Sequence, residues 1–587
     1  MKRTLILFTT LLITFVTKAD NITFVDSNVK SICVERWSTD GDEELSMDEA
    51  AAVTYLGDAF SFNNDIVQFP ELQYFTGLKE IESYSFYNCK NLKAIQLPSS
   101  ITNISTSAFY GCLSLQEVLI PGSVKTIADY AFNGCVGLQE LSLPEGVTTI
   151  GQYAFNSCSS LQSLHIPSTV TSITVSSFWA CSSLTSVTVD EDNAVYDSRG
   201  ECNAIINTTT NTLFLGTVAT VIPSSVTTIG PSSFYGNSKL KTIEIPEGVQ
   251  AIGGSAFSGC TALTSINLPT TLTTISNGAF SGCTKLAKVQ LPNGLKTIET
   301  NAFLRCSNLR KIHIPATVTS IGSYAFSECS KLLKVAVDFS SPLTINSMVF
   351  SHRKLATLYV PKGCYSAYKN ANYWKEFKSI VELTDNTLAV TVEPEAMMAG
   401  ESAALNVSLE NDEFFSYRKV QMDITLPEGF SLDADAITPS DRCAGMTVAL
   451  EPMEGNVYRL TCSSESAAIT GKEGVLLTMG LKADKGVGKG DYQGMAANIM
   501  LTDDYGSSRA LADTEFNWSF AAYYMGDVNH SGTVDVTDVI STVDYILGIE
   551  PADFYVDRAD MDGDNTIIIT DLIIIIDTIL GIFPLTY

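Results

Sequence analysis

A phrase that recurs every 23 residues constrains the fold of this chain more than any other feature. It is plainest between Ala131 and Ile150, which read AFNGCVGLQELSLPEGVTTI. The one longer step, from Phe178 to Phe234, is 23 residues plus an insertion of 33. A fixed period in the twenties with leucines spaced LxxLxL is typical of a solenoid, in which each repeat is one coil stacked on its neighbours. The phenylalanine of the phrase falls at Phe86, Phe109, Phe132, Phe155, Phe178, Phe234, Phe257, Phe280, Phe303 and Phe326.

Each coil is predicted to contain one strand in its LxxLxLP segment. Period-two alternation puts Leu141 and Leu143 on the core side and Glu140 and Ser142 on the outer side. The proline that follows lacks an N–H and ends the strand ladder at one edge of the sheet. We expect the solenoid to span residues 85–383, with Phe132, Cys135, Val147 and Ile150 among the other core residues of one coil.

The chain has 14 cysteines, and nine of them lie three residues after the repeat phenylalanine. Equivalent positions of stacked coils form a column inside the solenoid, so we interpret these nine as reduced structural thiols that behave as small apolar residues. Asn237 replaces cysteine in one coil. Outside the repeats, Cys443 and Cys462 can pair with each other, and Cys33, Cys202 and Cys364 are left unassigned.

The net charge of the chain limits the kinds of partner that it can bind. A net charge of -28 argues against binding to nucleic acid or to an anionic membrane surface, while 45% apolar residues argue against a disordered acidic tail.

Residues 1–19 have a basic start, an apolar run and a small residue at Ala19, which predicts a secretory signal peptide. A membrane anchor is the alternative, but the apolar run of about 13 residues is shorter than the roughly 20 that a span needs.

Two segments close the ends of the solenoid, and one interrupts it. Residues 20–84 are predicted to be an N-terminal cap, and residues 350–383 a C-terminal cap in which Tyr368, Trp374, Phe377 and Ile380 cover the last coil. Residues 190–221 contain alternating NTLFLGTV beside an Asn-Thr-rich turn, which predicts a β-hairpin protruding from one coil.

The N-terminal cap contains a loop, residues 38–49, that is similar in spacing to a calcium loop. Asp40, Asp42 and Glu49 stand at positions 3, 5 and 12, but Ser38 and Glu43 replace the usual Asp and Gly. Calcium binding and simple capping of the following helix both remain open.

Beyond the repeats the chain changes character twice. Residues 384–521 contain short alternating runs between Gly, Asp, Asn and Pro residues, which predicts a β-sandwich. Residues 522–587 then hold two similar segments at an offset of 33, so that Asp527 aligns with Asp560 and Asp538 with Asp571.

The duplicated tail carries the one strong chemical signal, since calcium prefers six to eight oxygens from a flexible loop. In the first loop Gly532 supplies the sharp turn. In the second, Asn565 takes that position with a left-handed backbone, and Ile568 at position 9 cannot hold a water. We predict two calcium ions, bound by Asp527, Asn529, Ser531, Thr533, Asp535 and Asp538, and by Asp560, Asp562, Asp564, Thr566 and Asp571.

No catalytic grouping is apparent from the sequence, so a non-enzymatic protein is expected. His165 and His313 share an outward strand position but lie several coils apart, too far to share one metal or triad. The outward strand positions are the candidate binding face, although a merely solvated face is an equal alternative. They include Gln116, Glu117, Gln139, Glu140, Gln162 and Ser163 in early coils, and Lys288, Arg310, Lys311 and Lys334 in later ones.

The phrase AFxxCxxLxxIxIPxxVTxI resembles the BspA-like, Treponema-type leucine-rich repeat of bacterial surface and secreted proteins. The tail is similar to dockerin, a module that docks onto cohesin through calcium-ordered loop–helix pairs, and the sandwich is loosely similar to cohesin or to a carbohydrate-binding domain. The dockerin recognition pairs read Val536-Thr537 with Val543-Asp544, and Ile569-Thr570 with Ile576-Asp577, in place of Ser-Thr and Lys-Arg. The resemblance therefore implies calcium binding without a standard cohesin partner.

The expected fold is thus a leucine-rich-repeat solenoid, an all-β sandwich and a small helical calcium module. The resemblance implies a secreted or cell-surface protein that binds a protein or glycan ligand on the solenoid face and assembles through its tail. The alternative is a non-catalytic component of a polysaccharide-degrading surface complex with a cohesin-like partner. A hydrolase with its site in the sandwich is the third hypothesis.

Overall fold

The structure is a computed structural model that describes residues 20–398, 402–484, 487–521, 525–529, 531 and 533–582. The predicted signal peptide, residues 1–19, lies outside the described residues. The chain divides into two units, Met1–Glu382 and Leu383–Tyr587, which are described separately. None of the helices in the described part of the chain is both long and apolar enough to cross a bilayer.

The first unit begins with a cap built from α1 (Ser27–Trp37) and α2 (Met47–Ala52). Asp26 caps α1 by accepting a hydrogen bond from the Asn28 N–H at 2.9 Å, and its other oxygen accepts one from the Val67 N–H at 2.6 Å. The ring of Phe60 stacks on the ring of Phe86 at 5.2 Å. The cap therefore continues the aromatic core of the first coil.

The coils contribute short strands that pair with the same segment of the next coil. In chain order they are β1 (Gln68–Phe69), β2 (Glu80–Ile81), β3 (Ala94–Gln96), β4 (Asn103–Ile104), β5 (Glu117–Leu119), β6 (Thr126–Ile127), β7 (Thr149–Ile150), β8 (Ser163–Ile166), β9 (Ser172–Ile173), β10 (Ser186–Val189), β11 (Tyr196–Asp197), β12 (Ala204–Asn207), β13 (Thr212–Gly216), β14 (Thr228–Ile229), β15 (Ala251–Ile252), β16 (Ser265–Asn267), β17 (Thr274–Ile275), β18 (Lys288–Gln290), β19 (Thr297–Ile298), β20 (Lys311–Ile314), β21 (Ser320–Ile321), β22 (Lys334–Val337) and β23 (Thr357–Val360), then α3 (Tyr365–Asn370) and β24 (Ser379–Glu382).

These strands confirm the solenoid and add a feature that the sequence did not reveal. The predicted LxxLxL segment forms parallel pairs such as β8–β10 and β20–β22, in register at the 23-residue offset. A second column of two-residue strands, including β6–β7 and β7–β9, runs through the Thr-Ile pairs of the same coils. Each coil thus has two places at which its backbone hydrogen bonds to its neighbours. Strand formation is weaker than predicted at Leu141–Leu143, where only an isolated bridge joins Ser142 to Leu119.

The phenylalanine and cysteine columns lie in the core, as predicted. Consecutive phenylalanine rings stack with centroids 4.9–5.4 Å apart and planes within 10° of parallel. Each of the nine cysteine thiols donates a hydrogen bond of 2.9–3.4 Å to a phenylalanine carbonyl in the preceding turn of the core. Burial therefore leaves no thiol of the column without a hydrogen-bond acceptor.

The insertion forms the predicted hairpin, β12–β13, but the hairpin does not protrude. Ala204, Ile205, Ile206 and Leu213 are all fully buried. Ile205 packs into the core of the N-terminal coils, whereas Ala204, Ile206 and Leu213 pack into the core of the C-terminal coils. The prediction of a protruding hairpin was wrong because both faces of β12 are apolar, so the hairpin fills the space between two runs of coils as a wedge.

The predicted C-terminal cap is present. Trp374 and Tyr368 are fully buried, Phe377 is nearly so, and Ile380 packs against the same core. The Trp374 indole N–H donates to the Leu343 carbonyl at 2.7 Å, and the Tyr368 hydroxyl donates to the Phe339 carbonyl at 2.6 Å. The polar atoms of these two large side chains are therefore satisfied at the end of the core.

The second unit begins with two sheets. In chain order the strands are β25 (Thr387–Glu393), β26 (Ala396–Met398), β27 (Ser402–Glu410), β28 (Tyr417–Thr425), β29 (Phe430–Pro439), β30 (Thr447–Met453), β31 (Val457–Ser463), β32 (Val475–Ala483), β33 (Gly490–Asp503), β34 (Ser508–Ala510) and β35 (Thr514–Ala521). One sheet has the order β25-β27-β32-β29, and the other β26-β35-β33-β28-β31-β30, with β34 beside β33.

The two sheets pack face to face through aromatic side chains. Phe430 of the first sheet meets Trp518 and Phe520 of the second, with ring centroids 5.0 and 5.6 Å apart. Aliphatic residues of both sheets are buried as well, such as Leu405 of β27 and Ile424 of β28. The described residues of the tail then form α4 (Val536–Ile546), α5 (Val556–Ala559) and α6 (Ile569–Ile579).

Candidate functional site

The outward positions of the early coils form an exposed polar face. Glu117 of β5, Ser163 of β8 and Glu140 between them are exposed, as are their neighbours Gln116 and Gln139. Each residue between the outward positions, such as Val118 and Leu164, is buried. The rigid core beneath therefore holds these polar side chains at intervals set by the stacking of the coils.

The predicted basic residues lie on later coils of the same face. Lys311 and Lys334 are paired directly across β20 and β22, and Lys288 has the same repeat position on β18. These three lysines are half-buried, whereas Arg310 is exposed. The outward column thus changes from acidic near Glu117 to basic at its other end.

A groove of about 790 Å³ opens on this face beside the insertion, between Val221 and the strand β16. Ile222, Ile243 and Ile245 are at most 8% exposed and form its floor, whereas Val221 is 72% exposed at its side. Thr220, Thr242, Glu244, Pro246, Ser265, Ile266 and Asn267 complete the lining. Sequence reasoning missed this groove, because it arises where the wedge interrupts the strand column between β10 and β16.

The first tail loop is closed by two buried carboxylates. Asp527 and Asp538 are fully buried. Asp527 Oδ1 accepts a hydrogen bond from the Ser531 N–H at 2.8 Å, and Asp538 accepts from the N–H groups of Asn529 and Asp535 at 3.2 and 2.9 Å. His530 and Gly532, the predicted turn residue, lie outside the described residues.

The second loop is closed in the same way. Asp571 is fully buried and accepts hydrogen bonds from the N–H groups of Asp562 and Ile568 at 3.3 and 3.0 Å. These two donors lie 33 residues after Asn529 and Asp535, so the internal duplication extends to individual hydrogen bonds. Asn565 has a φ of +62°, which confirms the predicted left-handed backbone at that position.

Three carboxylates of the second loop converge. Oxygen atoms of Asp560, Asp562 and Asp564 lie within 4.8 Å of one another. Asp560 is held by the N–H groups of Gly563 and Asn565, both at 2.8 Å. Carboxylate oxygens gathered in a tight loop are the donor set that calcium prefers, so these residues fit the predicted ion.

The pKa values of the carboxyl groups in the two tail loops shift in different directions. Burial raises the pKa of Asp538, with the neighbouring carboxylates of Asp527 and Asp535 adding to the effect. Hydrogen bonds from the hydroxyl and N–H of Thr566 lower the pKa of Asp564, and Thr537 lowers that of Asp535 in the same way. A buried carboxylate beside other carboxylates is stabilised by a nearby cation.

The helices that follow the two loops present matching apolar stripes. Val536, Ile540 and Leu547 of the first are 55–68% exposed, at helical spacing along one side. Their counterparts 33 residues later, Ile569, Ile573 and Leu580, are 50–65% exposed. The stripes include Val536 and Ile569, two members of the recognition pairs noted in the sequence.

The N-terminal loop, residues 38–49, uses its key carboxylate for capping. Glu49 accepts hydrogen bonds from the N–H and hydroxyl groups of both Thr39 and Ser46, at 2.6–2.9 Å. Ser46 in turn accepts from the Glu49 N–H, which completes a capping box at the start of α2. Although burial opposes it, the bonds from Ser46 and Thr39 lower the pKa of Glu49 to about 2.

His165 and His313 lie on different coils and have different partners. The ring of His165 hydrogen-bonds with the Thr188 hydroxyl at 3.0 Å, and that of His313 lies 2.8 Å from an Asp338 oxygen. Among the described residues, Asp560, Asp562 and Asp564 form the single group of three or more His, Cys, Asp or Glu side chains with metal-binding spacing.

Comparison with known proteins identifies the repeats. The family described as BspA type Leucine rich repeat region matches in six copies, over residues 58–198, 217–333 and 250–378, which together exceed half of the chain. No curated protein matches.

Solved structures give weaker similarities. A leucine rich cell surface protein from Faecalibacterium prausnitzii is 28% identical over 51% of this chain and 86% of its own, with a TM-score of 0.41. A leucine-rich repeat protein from Bacteroides ovatus is 23% identical over 56% and 90%, with a TM-score of 0.34. A cohesin module of a family 33 glycoside hydrolase from Clostridium perfringens is 14% identical over 24% and 98%, with a TM-score of 0.21. All three TM-scores lie below 0.5.

Proposed function

Because this chain belongs to the family of proteins with a BspA-type leucine-rich repeat region, we propose that it is a cell-surface protein that binds a protein ligand without catalysing a reaction. The groove beside the insertion is the observation that carries this proposal. An apolar floor inside a polar rim is typical of a protein-recognition surface, and the groove has a volume of about 790 Å³. The exposed polar side chains of the early coils extend the same face.

Substitutions that add positive charge at the rim test this function. Thr242 and Glu244 are exposed, so Thr242→Arg and Glu244→Arg alter the rim without disturbing the isoleucine floor. Glu117→Arg is the matched control, since it reverses a charge on the same face several coils away. We expect affinity capture with the full chain to retain a protein that Glu244→Arg loses and Glu117→Arg keeps.

Two results would contradict this proposal. One is capture that is equal for both variants, which would place binding elsewhere. The other is binding to a glycan array with no captured protein, which would replace the protein ligand with a glycan.

The tail is proposed to bind two calcium ions. The first ion would be held by Asp527, Asn529, Ser531, Thr533, Asp535 and Asp538, and the second by Asp560, Asp562, Asp564, Thr566 and Asp571. The support is that both loops close through equivalent hydrogen bonds and that three carboxylates converge in the second. Calcium would supply positive charge to the buried carboxylates, which otherwise repel one another.

We further propose that the calcium-loaded tail assembles with a partner of the cohesin type through its apolar stripes. Exposed apolar side chains at Val536 and Ile569 are costly in water unless a partner covers them. A role as a non-catalytic component of a polysaccharide-degrading complex would follow from such a partner. A hydrolase is the least supported candidate, and turnover on a glycan or peptide panel would be needed to favour it.

Pull-downs with the full chain, in buffer that contains calcium and in buffer that contains a chelator, test this assembly. We expect a cohesin-bearing protein to be retained in calcium only, and to be lost when Val536→Lys and Ile569→Lys are combined. The matched control is Leu113→Lys, an exposed apolar residue on the solenoid. Retention that is independent of calcium, or of the two tail substitutions, would refute this mode of assembly.

A further inference from the structure

Two cysteines outside the solenoid are buried in the second unit, and the Met446 segment connects them. Cys443 ends a short 3-10 turn, Asp441–Cys443, and Cys462 lies in β31; both are 1% exposed. The chain leaves the turn through Met446, whose N–H donates to the Cys443 carbonyl at 3.0 Å and whose sulfur lies 3.9 Å from the Cys462 thiol. Strand β30 then pairs with β31, with Val448 opposite Cys462.

The two thiols interact, and this interaction shifts their pKa values in opposite directions. The contact with Cys462 lowers the pKa of Cys443, with the Arg442 guanidinium adding to the effect. The same contact and burial raise the pKa of Cys462. A thiol that ionises more easily, held against a second thiol, is the arrangement needed for thiol–disulfide exchange.

The cysteine column of the solenoid is different. Its thiols donate to backbone carbonyls, for example Cys283 to Phe257 at 3.1 Å. Burial raises the pKa of Cys135, Cys181 and Cys283. These thiols are therefore poor nucleophiles, and reaction is favoured at the pair in the second unit.

We propose that Cys443 and Cys462 form a disulfide bond under oxidising conditions. The Cys443 thiolate attacks one sulfur of an oxidant disulfide, such as oxidised glutathione, and releases one glutathione thiolate. The Cys462 sulfur, losing its proton, then attacks the mixed disulfide at Cys443 and releases the second. Two protons and two electrons leave the protein, and the oxidant is reduced to two thiols.

The disulfide would join the turn that contains Cys443 to strand β31 of the second sheet. Arg442, next to Cys443, donates hydrogen bonds to the carbonyls of Leu409, Thr470 and Gly474 at 2.5–2.8 Å. Leu409 belongs to β27 of the first sheet, whereas Cys462 belongs to the second. A covalent link at Cys443 would thus connect the two sheets through one turn. Its presence in cells rests on the proposed surface location, since disulfides persist in oxidising compartments.

The test uses the purified full chain incubated in oxidised glutathione, alkylated in denaturant without reduction, and mapped by mass spectrometry. We expect a linked peptide joining Cys443 to Cys462, and a number of alkylated cysteines that falls by two from 14. In the control Cys364→Ser, oxidation should still lower the number of alkylated cysteines by two. In Cys462→Ser, oxidation should not lower that number by two. Because the main result comes from the unsubstituted protein, a variant that fails to fold does not affect it.

Alkylation of both Cys443 and Cys462 in the oxidised sample would overturn the proposal, and so would a link between other cysteines. The same mapping on protein recovered from the cell surface tests the proposed surface location independently of the reactivity of the two cysteines. A link that forms in glutathione but is absent in that protein supports the reactive pair and counts against the proposed compartment.

Discussion

Raising the pH should destabilise the solenoid through its cysteine column. Burial raises the pKa of Cys181, Cys283 and Cys329 from the ordinary 9.0 to about 12. The folded state therefore disfavours the thiolate that the unfolded chain forms freely. The stabilising contribution of each thiol is complete below pH 9, and it is lost as the pH rises from 9 towards 12.

The size of the effect follows from the two pKa values. At pH 10 a thiol of pKa 9.0 is mostly ionised when unfolded, while one of pKa about 12 is still neutral when folded, so each costs about 1.4 kcal/mol. Three such thiols would remove about 4 kcal/mol, which is a large part of the roughly 5–15 kcal/mol that stabilises a domain.

Cys283→Ala isolates one of these contributions. Guanidinium unfolding at pH 8 and pH 10 gives the free energy of unfolding of the variant and of the parent. We expect the variant to be less stable at pH 8, because of the small cavity, but to lose about 1.4 kcal/mol less than the parent between the two pH values. Cys364→Ala, which changes a half-buried cysteine outside the column, is the control. Equal losses in Cys283→Ala and the parent would refute the reasoning.

Three further predictions concern single sites. Calcium should raise the melting temperature of the tail, because an ion that binds only the folded state stabilises it, and Asp527→Ala and Asp560→Ala should each reduce the gain; equal melting in calcium and in chelator would contradict this. Asn237→Cys should raise the free energy of unfolding by about 1–3 kcal/mol, since the buried Asn237 Oδ1 has no hydrogen-bond partner in the described chain; an unchanged denaturation midpoint would count against it. Glu49→Gln should remove an acid-dependent loss of stability, because a carboxyl whose pKa is lowered from 4.5 to about 2 stabilises the fold above pH 4.5 and ceases to do so as the pH falls to 2; thermal melts at pH 7 and pH 3 compare the variant with the parent.

The solenoid was predictable because one period repeats along it. Residues that recur every 23 positions must occupy equivalent places in stacked coils, so Phe132 and Cys135 were assigned to the core without coordinates. The second strand column was not predictable, since a two-residue strand such as Thr149–Ile150 is too short to show alternation.

The packing of the insertion could not be predicted from the sequence, for a different reason. A strand buried on both faces reads as a continuous apolar run, and Ala204–Ile206 is such a run, but its length does not show which neighbours cover it. Gly216 was also uninformative in the sequence; a Cβ there would lie 2.1 Å from the ring of Phe234, so the close approach of the hairpin to that coil requires glycine. In the tail, the loop spacing located the candidate ligands, while the closing hydrogen bonds to Asp538 and Asp571 depend on backbone geometry.

The wedge between the two runs of coils has a consequence for how the solenoid comes apart. In a linear array each repeat is stabilised by its nearest neighbours, so unfolding spreads along identical contacts until it meets a contact of a different kind. The hairpin residues Ile205 and Ile206 provide that different contact, because they face opposite cores. The strength of this one junction therefore decides whether pulling or heating releases the N-terminal and C-terminal coils in a single cooperative event or in two.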